Sequence, residues 1–172
     1  DCSAQRQNQK IIEIAPSPNL SPTTRQALLD ASVQLAAARD YRGLGTFEFL
    51  VDATNTEQFY FIEANARLQV EHTVTEAVTG LDLVALQLGV AEGRSLTDMG
   101  LDQPVPCQGF AIQTRINMET PGKKGLFKPT GGTLAVFEPP SGPGIRTDSF
   151  GYAGYKTSTR YDSLLAKLIV HS

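Results

Sequence analysis

Basic runs, paired cysteines and long apolar stretches are all missing from this sequence, and each absence removes a class of function. The formal net charge is −3 and no basic stripe stands out, so the electrostatic footprint of a nucleic-acid partner is lacking. Cys2 and Cys107 lie far apart and match no metal-ligand spacing, which predicts reduced thiols in an intracellular, cytoplasmic protein. No segment has the character of a secretion signal or a membrane span, so no membrane partner is expected. There is no internal repeat and no low-complexity tract. The 172 residues suffice for one domain with a sizeable core or for part of a larger one. Asp1-Cys2-Ser3 lacks an initiator methionine and runs almost at once into a strand pattern, which predicts a piece of a longer polypeptide.

What the sequence does have is a concentration of polar chemistry between Phe59 and His72. Phe59 to Ile62 are aromatic and β-branched and predict a strand. From Glu63 onward, odd-numbered positions carry Glu63, Asn65, Arg67, Gln69 and Glu71. If the chain stays extended, these five share one face, a row costly to bury without a ligand. A solvated edge strand is the competing reading.

Thr46 to Asp52 predicts a second strand, and Thr54 to Glu57 a connection of hairpin length. Antiparallel pairing with Ala53 opposite Gln58 places Leu50 opposite Phe61 and Glu48 opposite Glu63. Opposed carboxylates repel. Magnesium would relieve them, because it takes oxygen from one or two carboxylates and completes its shell with substrate phosphates. Two acids on adjacent strands would also suit glycoside hydrolysis, but that leaves Arg67 and Gln69 without a role.

Along the rest of the chain, Gln5 to Lys10 is a dense polar run entering a strand at Ile11 to Ala15, where Lys10 can aim its ammonium toward a phosphate. Ser21-Pro22 predicts a helix to about Ala38, with Leu28, Leu29, Val33, Leu35 and Ala36 as its core stripe. Thr73 or Thr75 is expected to cap a short helix ending at Gly80, and Asp82 a further helix, Leu83 to Glu92, closed by Gly93. His72 is read as a packed histidine. Residues 95–106 shift to loop composition, with Pro104 and Pro106 marking a boundary. Beyond it, Gln108 to Met118, Thr133 to Glu138, Ile145 to Ser149 and Ala166 to His171 read as strands, and Pro121 to Lys128 as a basic loop. Gln113, Arg115 and Asn117 share one face of their strand, and Arg115 suits either an oxyanion or a structural carboxylate. Gly151 to Tyr155 is discarded as a nucleotide motif, since no strand and helix follow it.

Several of these blocks together resemble the biotin carboxylase family of the ATP-grasp superfamily: Asp1 to Arg6 with Gln9-Lys10, Gly45 to Phe49, Phe61 to His72, Arg115-Ile116-Asn117, and Tyr161 to Lys167. The resemblance covers essentially the whole chain, and its Arg67-Leu68-Gln69-Val70-Glu71-His72 block is the most specific part. It implies an α+β fold, with residues 1–94 as the C-terminal portion of an ATP-grasp domain. Residues 95–172 would be an incomplete, β-rich and mainly antiparallel biotin carboxylase C-terminal subdomain.

The resemblance also implies roles. Residues matching Glu48, Glu63 and Asn65 hold Mg2+ or Mn2+, while Gln5, Asn8, Lys10, Glu48 and Glu63 fall on the nucleotide side. Residues matching Arg67, Gln69 and the Val70 backbone bind bicarbonate, Glu71 is the general base, and Arg115 stabilises the biotin ureido oxyanion. Implied partners are ATP, bicarbonate, a biotinylated carrier domain, a carboxyltransferase and a second copy in a homodimer. Two departures stand out: Gln7 and Asn8 replace an arginine and a histidine common in the family, and Met118-Glu119-Thr120-Pro121 replaces Ala-Glu-Asp-Pro. The tail is closer to multidomain acyl-CoA carboxylases than to urea carboxylases. The isolated chain is expected to be inactive. Alternatives are a folding or subunit-contact module, an ATP-grasp ligase of the carbamoyl-phosphate synthetase kind, or a urea or pyruvate carboxylase subunit.

Overall fold

The computed structural model describes residues 1–123 and 126–172. It is a mixed α and β chain with antiparallel sheets, divided into two compact units that do not follow chain order. One comprises residues Asp1–Ala15 with Gly109–Ser172, and the other Pro16–Gln108. The boundary composition around Pro104 and Pro106 lies near the second crossing. The first crossing is at Ala15, where Pro16 stops the strand.

The split unit is built on a five-stranded sheet in the order β1-β2-β5-β9-β8. β1 (Ala4–Arg6) and β2 (Gln9–Ala15) form a hairpin whose two turn residues, Gln7 and Asn8, have φ of +52° and +62°. Two left-handed residues in succession suit the twist of a tight hairpin. The polar run at Gln5 to Lys10 is thus a turn with its flanking strand ends. β2 pairs with β5 (Ala111–Asn117), β5 with β9 (Leu164–His171), and β9 with β8 (Ile145–Ser149), all antiparallel. The core beneath includes Ala111, Leu165, Ala166 and Ile169.

The expected basic loop at 121–128 is partly a ribbon: β6 (Glu119–Pro121) pairs with β7 (Phe127–Pro129). Lys124 and Gly125 of that loop lie outside the described residues. Arg6 reaches Glu119 of this ribbon and stacks 4.0 Å over the Phe127 ring. The strand expected at Thr133 to Glu138 does not form. Only Thr133 bridges, to Lys156, and Val136 points into solvent ahead of Pro139-Pro140, which cannot extend a ladder.

The second unit carries α1 (Pro22–Ala37), the hairpin of β3 (Thr46–Val51) and β4 (Phe59–Asn65), α2 (His72–Thr79) and α3 (Leu83–Ala91). Ser21 caps α1 by accepting from the Thr24 amide at 3.1 Å. Of the predicted core stripe of α1, Leu29, Val33 and Leu35 are exposed and Leu28 and Ala36 half-buried. Leu50, Tyr60, Phe61 and Ile62 on the hairpin are exposed as well. α2 is not capped by Thr73 or Thr75: its N-cap position is Glu71, with no side-chain capping bond. Both threonines lie inside the helix, and Thr73 is buried beside Val74 and Val78. Gly80 ends α2 at φ +70°, and Asp82 caps α3 by accepting from Ala85 N at 2.8 Å. Among the described residues no single helix is long and apolar enough to cross a membrane.

Candidate functional site

In the second unit the β3–β4 ladder decides the site. The sequence pairs Glu48 with Glu63, and so does the structure, but by a different route. Toward the turn the register is one residue off the expected one, with Leu50 opposite Tyr60 instead of Phe61. A bulge between Glu48 and Phe49 absorbs the slip, leaving Ile62 unpaired and restoring Glu48 opposite Glu63. The tighter end is closed by Asp52, whose Oδ1 accepts from Thr54 Oγ1 (2.6 Å), Thr54 N (2.7 Å) and Asn55 N (3.0 Å). Those bonds, chiefly the Thr54 hydroxyl, hold the Asp52 carboxyl below its usual range.

Asn65 sits between the two acids. Its Nδ2 donates to Glu63 Oε1 at 2.8 Å and to Glu48 Oε1 at 3.2 Å. Gln69 Nε2 also donates to Glu48 Oε1, at 2.9 Å. Arg67 Nη2 donates to Asn65 Oδ1 at 3.3 Å and its Nη1 to the Leu68 carbonyl at 3.2 Å. The extended row predicted from Glu63 to Glu71 does not exist, because β4 stops at Asn65 and the chain turns into α2. Glu63, Asn65, Arg67, Gln69 and Glu48 are still gathered, by side-chain bonds across a turn instead of by strand alternation.

Gln69 is buried, and its Oε1 has no protein partner. Gln69 and Glu71 line one cleft of about 380 Å³, with Thr46, Phe47 and His72. His72 is packed: its Nδ1 must carry a proton to donate to the Gln69 carbonyl at 2.8 Å, and its Nε2 lies 3.9 Å from Glu76. Buried Glu76 accepts from the Leu83 amide at 2.8 Å, tying the start of α3 to α2.

The remaining candidates lie in the split unit. Gln5 and Lys10 are directly opposed across the β1–β2 ladder, and Asn8 is in the turn. Arg115 on β5 donates through Nε (2.7 Å) and Nη2 (2.6 Å) to Glu13 Oε1 on β2. Gln113 Nε2 donates to the other oxygen of Glu13 at 2.9 Å. Sequence reasoning passed over Glu13, although one signal was present: an acid inside the apolar strand Ile11-Ile12-Glu13-Ile14.

The donor set fits a hard divalent cation. Two carboxylates on facing strands, with an amide between them, match the partial protein shell that magnesium accepts when phosphates supply the rest. Among the described residues no group of three or more His, Cys, Asp or Glu side chains is placed to hold a metal ion.

Residues 1–99 match the family described as carbamoyl-phosphate synthase L chain, ATP binding domain, and residues 113–172 match the biotin carboxylase C-terminal domain. The chain belongs to the biotin carboxylase family of ATP-grasp proteins. Pyruvate carboxylase of Pichia angusta is 49% identical over 97% of this chain and 14% of its own length. The structure of a single-chain, multi-domain long-chain acyl-CoA carboxylase superposes at TM-score 0.95, 50% identical, over all of this chain and 18% of that one. The biotin carboxylase domain dimer of Hydrogenobacter thermophilus 2-oxoglutarate carboxylase, in complex with MgADP, ADP and bicarbonate, superposes at 0.89 and is 43% identical. This chain is covered in full by that domain and spans 37% of it. The chain thus spans between 14% and 37% of the length of these relatives.

Proposed function

We propose that this chain supplies the metal, bicarbonate and biotin-side residues of a biotin carboxylase. In that reading the parent protein uses ATP and bicarbonate to carboxylate biotin on a carrier domain, through carboxyphosphate. The observation that carries the reading is the opposed pair Glu48 and Glu63, bridged by Asn65 and flanked by Gln69. Bound Mg2+ or Mn2+ would neutralise charge on the ATP phosphates. Glu48 and Glu63 would hold it, with the Asn65 amide turned to present its oxygen. The Arg67 guanidinium offers a planar fork for bicarbonate. Buried Gln69 and the Val70 backbone would bind the anion beside it, leaving its single proton to Glu71. Glu71, in the same cleft as Gln69, is the general base that takes the proton before attack on the γ-phosphate. Carboxyphosphate then yields carbon dioxide and phosphate, and phosphate removes the biotin N–H proton. Arg115 stabilises the oxyanion that develops on the ureido group. Gln5, Asn8 and Lys10 serve the nucleotide and phosphate side.

An acyl-CoA is the acceptor we favour, from the character of the Gly151 to Tyr155 tail and the likeness to the long-chain acyl-CoA carboxylase. Pyruvate is the rival, at nearly equal identity. A carboxyltransferase and a second copy would complete the assembly, and the cytoplasm suits its reduced cysteines.

Glu71→Gln in the full-length parent tests the reading. Carboxylation should fall by two orders of magnitude or more, roughly the general-base contribution, while magnesium-nucleotide binding persists. Unchanged carboxylation would favour a folding or subunit-contact module. ATP turnover that ignores biotin would favour a carbamoyl-phosphate synthetase type of acceptor. The isolated chain should show no bicarbonate-dependent ATP hydrolysis.

A further inference from the structure

Arg115 could be aimed by its own packing or by a partner, and the β2–β5 ladder distinguishes the two. Glu13 lies directly opposite Gln113 and diagonal to Arg115, so the three side chains share one face of the sheet. The Glu13 residue is 0% exposed, and Arg115 is nearly as enclosed. A carboxylate is not buried this deeply without partners. Here Arg115 takes one oxygen through two nitrogens, at 2.6 and 2.7 Å, and Gln113 takes the other at 2.9 Å. Gln113 thereby stops the carboxylate from rotating, and the carboxylate stops the guanidinium from rotating. Lys167 stands opposite Arg115 on β9, a like charge that would otherwise push the guanidinium out of register.

We infer that Glu13, locked by Gln113, is a positioning residue that presents Arg115 to the developing oxyanion; this rests on the reading of Arg115 given above. Glu13 touches no substrate and acts through Arg115 alone. Its counter-charge lowers the field of the guanidinium and in exchange fixes its geometry. Fixed geometry matters more, because an oxyanion donor works only when it needs no reorganisation as charge develops.

The test uses the full-length parent enzyme with Glu13→Gln, Arg115→Ala and the double variant, each screened for thermal unfolding. Two rates are read: bicarbonate-dependent ATP hydrolysis without biotin, which precedes the role of Arg115, and carboxylation of biotin. Glu13→Gln should lower kcat for carboxylation about tenfold or more while ATP hydrolysis stays within about twofold. In the Arg115→Ala background, Glu13→Gln should cause no further loss, since its only route of action is gone. If Glu13→Gln does not fold, Gln113→Met frees the same carboxylate from its other partner and should lower carboxylation selectively. Full carboxylation by Glu13→Gln or Gln113→Met, with Arg115→Ala impaired, overturns the inference and leaves the role of Arg115 standing. Full carboxylation by Arg115→Ala overturns the role of Arg115 itself, and the inference with it. Equal loss of both rates with lowered thermal stability would make Glu13 a purely structural residue and also overturn the inference.

Discussion

Arg115 and Lys167 face each other across the β5–β9 ladder, two cations in direct register. Each is matched by an acid on the strand beyond it: Glu13 on β2 for Arg115, and Asp148 on β8 for Lys167. The five-stranded sheet thus carries a charged row across one face, negative at its flanks and positive in its middle. Each cation of the row is held by the acid on the strand beside it.

Asp148 is the accessible end of that row. Burial raises its pKa, but the bonds and charges of Arg146 (2.7 Å) and Lys167 (3.3 Å) together outweigh burial and leave it below its ordinary value. A carboxyl with a depressed folded pKa stabilises the fold above its unfolded pKa, and that contribution is lost as pH falls through the folded value. Asp148→Asn should therefore cost about 1 kcal/mol at neutral pH, the scale of a partly exposed ion pair. The cost should vanish in acid below the depressed value. Urea midpoints of both proteins across that range check it, and a gap that persists in acid contradicts the charge argument.

Glu48 and Glu63 should give opposite signs in two measurements. Without a cation the opposed carboxylates repel, so Glu48→Gln or Glu63→Gln should raise thermal stability by about 0.5 kcal/mol. The same variants should lose magnesium-dependent nucleotide binding in the full-length parent, measured by calorimetry. Loss of stability together with unchanged binding would mean that the pair is held by Asn65 for structural reasons only.

Gln7 has φ +52° in the β1–β2 turn, where a side chain bearing Cβ is strained. Gln7→Gly removes that strain, at roughly 1 kcal/mol for a left-handed residue, against a smaller loss from the freer unfolded chain. A modest gain in stability is expected, read as a shift in the urea midpoint. Gln7→Val should move it the other way.

Much of this arrangement is local and was therefore legible in the sequence. The helix caps at Ser21 and Asp82, the stop at Gly80 and the pairing of Glu48 with Glu63 all follow from short-range rules. The bulge at Ile62 was not legible, because a one-residue slip costs no change in composition; the correct acid pairing came through although half the ladder shifted. The break after Asn65 was hidden for a similar reason: alternating polar residues look like a strand until a turn gathers them another way. Glu13 was missed because its partners are about one hundred residues away. The α1 stripe was misread because apolar spacing shows what a face can bury, and in this chain nothing covers Leu29, Val33 and Leu35.

β2 and β5 are neighbours in one sheet, yet the whole of Pro16–Gln108 is interposed between them in the chain. On the ribosome the β1–β2 hairpin emerges before β5 and then waits, unpaired along the edge that β5 will occupy, for roughly ten seconds of synthesis. Throughout that delay the nascent chain exposes a strand rich in isoleucine, a template for the wrong partner. Glu13, in the middle of that strand, is a charge that any mispaired strand would have to bury alone.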